Sequence, residues 1–185
     1  MRIVAIIPAR GGSKRLPKKN IFPFRGLPLM AYTIAACKQS QYISEIYVSS
    51  DDDEILATGL SHGALALKRP QALADDHTPK IIAIRQAVQD PAAGTFDRDD
   101  IIVVAQANSP QITAKQMDTA IKLMLDHKLW EVMSTDENGV QNAAFRVVRH
   151  HALFNEFLSA HCGFVVAPNI DVHTEEDLRS LESML

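Results

Sequence analysis

Short, mainly apolar runs, separated by stretches of helical periodicity, constrain this chain more than any other feature. The runs fall at 3–7, 46–49, 64–67, 101–106, 131–134 and 144–148, with 163–166 as a seventh. A strand with one wet face alternates apolar and polar residues, whereas these runs do not alternate and so are read as buried on both faces. Helical patterns lie between them. Segment 28–39 opens with a proline at a first-turn position, and 51–61 opens with three acids, which suit the positive end of a helix dipole. Segment 78–89 puts Ile81, Ile84 and Val88 on one side. In 113–127, Thr113 is followed three residues later by Gln116, a capping-box spacing, while Met117, Ile121, Met124 and Leu125 form the inward stripe. A last helix begins near Thr174 with Leu178, Leu181 and Leu185 on one face, and 151–159 reads as a short helical stretch. The alternation predicts an α/β fold of three layers, a mainly parallel sheet with helices on both faces.

A chain of 185 residues suits one domain over 1–185, able to bury roughly 70% of the surface its unfolded form exposes without a disulfide or structural metal. Its two cysteines, Cys37 and Cys162, read as reduced thiols of a cytoplasmic protein. No apolar run approaches the ~20 residues of a membrane span, and 3–7 is too short, and too soon followed by Pro8, for a signal sequence. A soluble intracellular protein with no membrane partner is expected. No repeat or linker interrupts the pattern, and only 90–100 reads as an extended surface loop.

The net charge of −3 conceals an asymmetry. The first 44 residues carry eight Lys or Arg and no acid, since Glu45 is the first carboxylate. Five of those cations, Arg10, Lys14, Arg15, Lys18 and Lys19, crowd the loop after the first strand. In sheets of this kind ligands sit beyond the carboxyl ends of the strands, where this loop lies. Like charges there repel unless an anion joins them. A nucleic-acid binder spreads positive charge over a face, so a compact polyanion such as a nucleoside triphosphate is favoured over nucleic acid.

Two common phosphate motifs are excluded by spacing. There is no G-x-G-x-x-G, and Gly11-Gly12-Ser13-Lys14 does not fit G-x-x-x-x-G-K-[ST]. The loop still holds what a triphosphate requires. Gly11 and Gly12 allow close backbone approach, Ser13 offers a hydroxyl, the cations neutralise charge, and Pro17 stiffens the turn. On composition alone, a solvated basic loop is an equal reading.

The stretch Pro8-Ala9-Arg10-Gly11-Gly12-Ser13-Lys14-Arg15-Leu16-Pro17-Lys18-Lys19-Asn20 resembles the signature of the cytidylyltransferases that make CMP-activated sialic acids and related acid sugars. A thinner pattern of Arg10, Ser13, Arg15, Pro17 and Lys19 is shared with enzymes that activate 3-deoxy-manno-octulosonate. The resemblance continues through Gly26-Leu27-Pro28-Leu29, Ala31-Tyr32-Thr33-Ile34, Val48-Ser49-Ser50-Asp51-Asp52 and Arg69-Pro70. Leu73-Ala74-Asp75-Asp76-His77-Thr78 is most similar to the branch acting on pseudaminic and other bacterial nonulosonic acids, and Ile170-Asp171-Val172-His173-Thr174 to the family's closing turn.

The resemblance implies a Rossmann-like nucleotidyltransferase fold and transfer of CMP from CTP to the anomeric hydroxyl of a nonulosonic acid, with release of pyrophosphate. Such catalysis is mostly positioning and charge neutralisation. Carried over by position, Arg10, Ser13, Arg15 and Lys19 hold the triphosphate with Gly11, Gly12 and Lys14. Lys19 and Arg10 are the catalytic candidates, Lys19 meeting charge that develops at the α-phosphate. Asn20, Arg69 and Gln106 place the nucleoside, and Asp171 holds Mg²⁺. The partners implied are CTP, an acid sugar and a second copy in a homodimer.

Three departures qualify this. The family's Gln-Pro-Thr-Ser-Pro-Leu-Arg reads here Gln106-Ala107-Asn108-Ser109-Pro110-Gln111-Ile112, without the arginine. The second aspartate of the closing turn is His173, an imidazole that would weaken a magnesium site or favour Mn²⁺ or zinc, or else serve as an ordinary polar residue at a helix start. The region after Asn142-Ala143-Ala144-Phe145, around 136–162, is short, so the sugar pocket is reduced and the dimer arm altered or absent.

Other residues have simpler readings. His150-His151 reads as a surface pair, since neighbours in a strand point to opposite faces. Trp130, Met117, Met124 and Met133 read as packing, and Asp51-Asp52-Asp53 as helix-start acids rather than a metal cluster. Two alternatives stay open: a sugar nucleotidyltransferase using another base or a sugar 1-phosphate, and a non-catalytic nucleotide-binding homologue.

Overall fold

The alternation of Ile3, Ala5 and Ile7 with Val4 and Ile6 sends apolar side chains to both faces of the first strand, β1 (Ile3–Pro8), where all five are buried. The computed structural model describes residues 1–75, 77–156 and 159–184. Asp76 of the nonulosonic-acid motif, Leu185 of the last helix and residues 157–158 of the short helical stretch lie outside the described residues. After β1 come a two-stranded hairpin, β2 (Pro23–Phe24) and β3 (Leu27–Pro28), then α1 (Leu29–Gln39), β4 (Glu45–Ser50), α2 (Asp53–Ser61), β5 (Leu65–Lys68) and α3 (Lys80–Gln89). The chain continues as β6 (Ile101–Ala105), α4 (Ala114–His127), β7 (Glu131–Thr135), β8 (Gln141–Arg149), β9 (Cys162–Val166) and α5 (Glu175–Met184).

The seven main strands form one sheet in the order β5-β4-β1-β6-β8-β7-β9. All neighbours are parallel except at β8, which runs antiparallel to both β6 and β7. Reversing that one strand brings its start to the sheet's carboxyl edge, beside the ends of β1 and β6. Helices cover both faces, as the mainly apolar, non-alternating runs require. On one side Met30, Ile34, Ile55, Met117, Ile121 and Met124 pack on Ala5, Ile7, Val103 and Val147. On the other, Ile84, Ala87 and Val88 of α3 pack on Val4, Ile6, Ile102 and Val104.

A third cluster positions the site. Leu178 and Leu181 of α5, with Val172, pack on Leu16, Phe24 and Leu29. The last helix is thereby fastened to the loop after β1 and to the hairpin, whose turn places Arg25 (φ 47°) and Gly26 (φ 83°) in the left-handed region suited to a two-residue loop. Strands of two residues carry no periodicity, which is why the sequence alone gives no sign of the hairpin.

Each expected strand and each of the five longer helices forms, with ends displaced by at most two residues except at β8, which begins at Gln141, three residues before the expected 144. The loop 90–100 is less open than expected. It contains a turn at Pro91–Ala93, and its buried Asp100 accepts from Arg2 N at 2.6 Å and Asp97 N at 2.8 Å. The reading of His150-His151 as a surface pair is corrected. Both are half-buried in a short 3-10 turn, His150–Phe154, with His150 stacked on Phe96 and His151 edge-on to Trp130. The strand ends at Arg149, so strand alternation does not govern them. Cys37 is buried and Cys162 half-buried, each as a free thiol, and burial pushes the Cys37 pKa up to about 12.

The capping box of α4 forms as its spacing predicts. Thr113 Oγ1 accepts from Gln116 N, and Gln116 Oε1 accepts from Thr113 N at 2.9 Å. Thr113→Ala is expected to destabilise the fold by about 1 kcal/mol, measured by urea unfolding, because the Gln116 amide loses its acceptor.

Candidate active site

The loop from Ala9 to Asn20 leaves β1 under tight backbone control. Ala9 N donates to Ser49 O at 3.0 Å, and Gly11 N donates to Asp51 Oδ1 at 3.0 Å. Asp52 caps α2 through the Glu54 and Ile55 amides. A Cβ on Gly11 would stand 2.8 Å from Asp52 Oδ2 and 2.9 Å from Asp52 Cβ, so only glycine permits this approach. The acids at 51–52 therefore do more than start a helix: they moor the basic loop. A Cβ on Gly12 would meet nothing within 4 Å, so that position is open. Leu16 is buried, and Lys18 pairs with Glu54 at 2.5 Å on the exposed side.

Beyond the loop lies a cavity of about 620 Å³, a size suited to a nucleotide. Arg10, Ser13, Lys14, Arg15, Lys19, Asn20, Arg69, Gln106, Asp171 and His173 line it, so ten of the twelve residues singled out from sequence converge. Gly11 and Gly12 are not among its lining residues. Three of the ten use donors on the protein's own backbone. Arg10 Nη1 donates to Asp75 O at 2.9 Å, Asn20 Nδ2 donates to Arg10 O at 2.9 Å, and the buried Arg69 donates to Ser49 O at 2.8 Å. Asn20 and Arg69 act as walls that brace the loop.

The electrostatics centre on Lys19 and Asp171. Burial lowers the Lys19 pKa; the Asp171 carboxylate opposes this, while Arg15, Arg10 and Lys80 reinforce it. His173 is likewise pushed down by burial and then by Lys19 and Arg15. Its Nδ1 lies 3.3 Å from Lys19 Nζ. Asp171 accepts from the Ser109 hydroxyl. The turn that carries it is sewn to the loop after β6, since Asn108 Nδ2 donates to Val172 O and Val172 N donates to Asn108 O, each at 2.9 Å.

Lys80, Asn108 and Ser109 join the site without having been singled out from sequence. Lys80, in the first turn of α3, is solvent-exposed as a residue. Even so, crowding around its ammonium lowers its pKa, with Asp171 opposing. Nothing in the local sequence separates it from an ordinary surface lysine. Asn108 and Ser109 had a signal, because they follow a strand at the carboxyl edge next to β1. The position where the family pattern carries arginine is Ile112, buried in the core, and Gln111 Oε1 accepts from Ile170 N at 2.9 Å. That segment props up the closing turn.

Among the described residues no group of three or more His, Cys, Asp and Glu gathers to hold a metal. A magnesium ion keeps water and phosphate oxygens and takes one or two protein carboxylates, so Asp171 alone fits it. His173 fits poorly, because Nδ1 faces an ammonium.

A mainly parallel α/β sheet with a cation-lined cavity at its carboxyl edge places the chain in the class of α/β proteins whose ligand crevice lies beyond the strand ends. The family model described as Cytidylyltransferase matches residues 4–157, and the chain belongs to that family. The chain is 46% identical over 90 residues to the pseudaminic acid cytidylyltransferase of Campylobacter jejuni, a match covering 48% of this chain and 39% of that protein. It is 52% identical over 64 residues to the CMP-N,N'-diacetyllegionaminic acid synthase of Legionella pneumophila, covering 35% and 28%. The matches thus span well under two thirds of these relatives' lengths. A solved CMP:2-keto-3-deoxy-manno-octonic acid synthetase complexed with CTP superposes with a TM-score of 0.77 at 17% identity, covering 100% of this chain and 98% of that one. A cytidylyltransferase from Leptospira borgpetersenii gives 0.75 at 18%, covering 99% and 86%. At these identities the likeness establishes the fold, which agrees with the fold class expected from sequence.

Gly11→Ala is expected to lower Tm by about 3–8 °C, since the methyl group collides with Asp52, whereas Gly12→Ala changes Tm by less than about 1 °C. Thermal unfolding of both variants checks this.

Proposed function

We propose that this chain transfers CMP from CTP to the anomeric hydroxyl of a nonulosonic acid. The sugar oxygen attacks the α-phosphorus, the bond to the bridging oxygen of the β-phosphate breaks, pyrophosphate leaves, and the hydroxyl proton passes to solvent. The observation that carries this reading is the convergence of Arg10, Arg15 and Lys19 across one cavity from Asp171. The family membership and the printed activities of the C. jejuni and L. pneumophila relatives support the base and the sugar class.

In this reading Arg10, Ser13, Lys14 and Arg15 bind the triphosphate tail, with Gly11 holding the loop in place. Lys19 meets negative charge at the α-phosphate, and Gln106 faces the nucleoside from the end of β6. Asn20 and Arg69 serve the nucleoside by keeping the wall rigid. Asp171 would hold Mg²⁺, with Mn²⁺ a substitute, and the bound ion would supply charge neutralisation for the departing pyrophosphate. The whole of 1–185 acts as one nucleotidyltransferase domain, short around 136–162, so a homodimer would be weakened. Free thiols suit the cytoplasm. No helix of the described residues is long and apolar enough to cross a membrane. The basic residues gather in a cavity rather than over a face, which disfavours nucleic acid.

Lys19→Ala is expected to lower kcat/KM by on the order of 100-fold or more in a pyrophosphate-release assay with CTP, Mg²⁺ and a panel of nonulosonic acids. No turnover of the wild-type chain with any nucleoside triphosphate and any sugar would sink the proposal. The contact of His173 with Lys19, in place of a second carboxylate, favours one other reading, a homologue that binds nucleotide without turning it over. Tight CTP binding with no pyrophosphate from either the wild type or His173→Asp would select it.

A further inference from the structure

The contact between Lys19 and His173 has a direction set by chemistry. A lysine ammonium has three donors and no acceptor, so across 3.3 Å the Nδ1 atom of His173 accepts and its proton sits on Nε2. The root of the imidazole is fixed on two sides. His173 N donates to Asp177 Oδ2 at 2.7 Å, and Thr174 N donates to the same oxygen at 2.8 Å. Val172, the preceding residue, is fully buried and bonded in both directions to Asn108. Among the described residues, Lys19 is held at its root, between the buried Leu16 and Asn20, and at its head by the His173 contact. Its four-carbon stem is flexible, and Arg15, Arg10 and Lys80 all repel its head.

We propose that His173 is a positioning residue, whose Nδ1 lone pair holds the Lys19 ammonium in the part of the cavity next to Asp171. This rests on the nucleotidyltransferase reading above and assigns the residue that aims its central cation. An aspartate at 173 would also accept from Lys19, but it would neutralise the charge that the lysine is to offer a phosphoryl group. A neutral imidazole orients the ammonium and leaves the charge intact.

Two measurements test this. In protein labelled with ¹⁵N-histidine and free of substrate, His173 is expected as the Nε2–H tautomer at neutral pH, with its Nδ1 resonance moving in Lys19→Met. An Nδ1–H tautomer, or an Nδ1 resonance indifferent to Lys19→Met, overturns the proposal whatever the activity. In the CTP assay, His173→Ala and His173→Gln are expected to lower kcat about 10-fold, with KM for CTP changing less than about 2-fold. His173→Asn, whose Oδ1 can take the place of Nδ1, should recover most of that loss. Equal impairment of the Asn and Ala variants, with Tm unchanged in both, would refute it. A wild-type chain without turnover defeats the functional reading alone, because the tautomer measurement still decides the contact.

Discussion

Cations can be held close together only by a scaffold anchored through other bonds. In this chain the anchor is the mooring of the basic loop to the start of α2, where the Gly11 amide meets Asp51 and the missing Cβ makes room for Asp52. Asn20 closes the far end of the loop on Arg10 O, and Leu16 sinks into the cluster beneath α5. Each anchor leaves the heads of Arg15 and Lys19 directed to the cavity while fixing the backbone that carries them. Their mutual repulsion is thus a standing cost to the folded chain and a standing attraction for a polyanion.

The same cluster explains how residues over 150 positions apart in sequence share one site. Leu178 and Leu181 bury themselves against Leu16, Phe24 and Leu29, and the turn before α5 is tied to Asn108 in both directions. Asp171 and His173 consequently arrive beside Lys19 as part of the hydrophobic closure of the fold. Truncating that closure would remove the carboxylate and the imidazole together, even though neither belongs to the sheet.

Much of this was legible because the signals are local. Mainly apolar runs marked the strands, Thr113 and Gln116 marked a helix start that forms with both reciprocal bonds, and loop composition marked the cavity wall. What escaped depends on partners distant in sequence. Lys80 resembles any first-turn lysine until the fold sets it across from Asp171. Gly11 offered close backbone approach, and the crowding of its position against Asp52 carried no local signal. Arg69 lines the cavity, and the anchoring of two of its nitrogens on Ser49 carried no local signal. The missing arginine suggested a damaged site, but Ile112 at that position belongs to the core.

The balance of charge around Asp171 gives the histidine its sense. One carboxylate faces Lys19 and Lys80, with Arg10 and Arg15 close enough to depress Lys19 further. A second carboxylate at 173 would satisfy these cations within the protein and reduce their hold on an incoming phosphate. An apolar residue would leave the Lys19 ammonium to be pushed aside by its neighbours. A neutral acceptor is the remaining solution: it restrains the lysine through a single lone pair, and it leaves the excess positive charge for a ligand to neutralise.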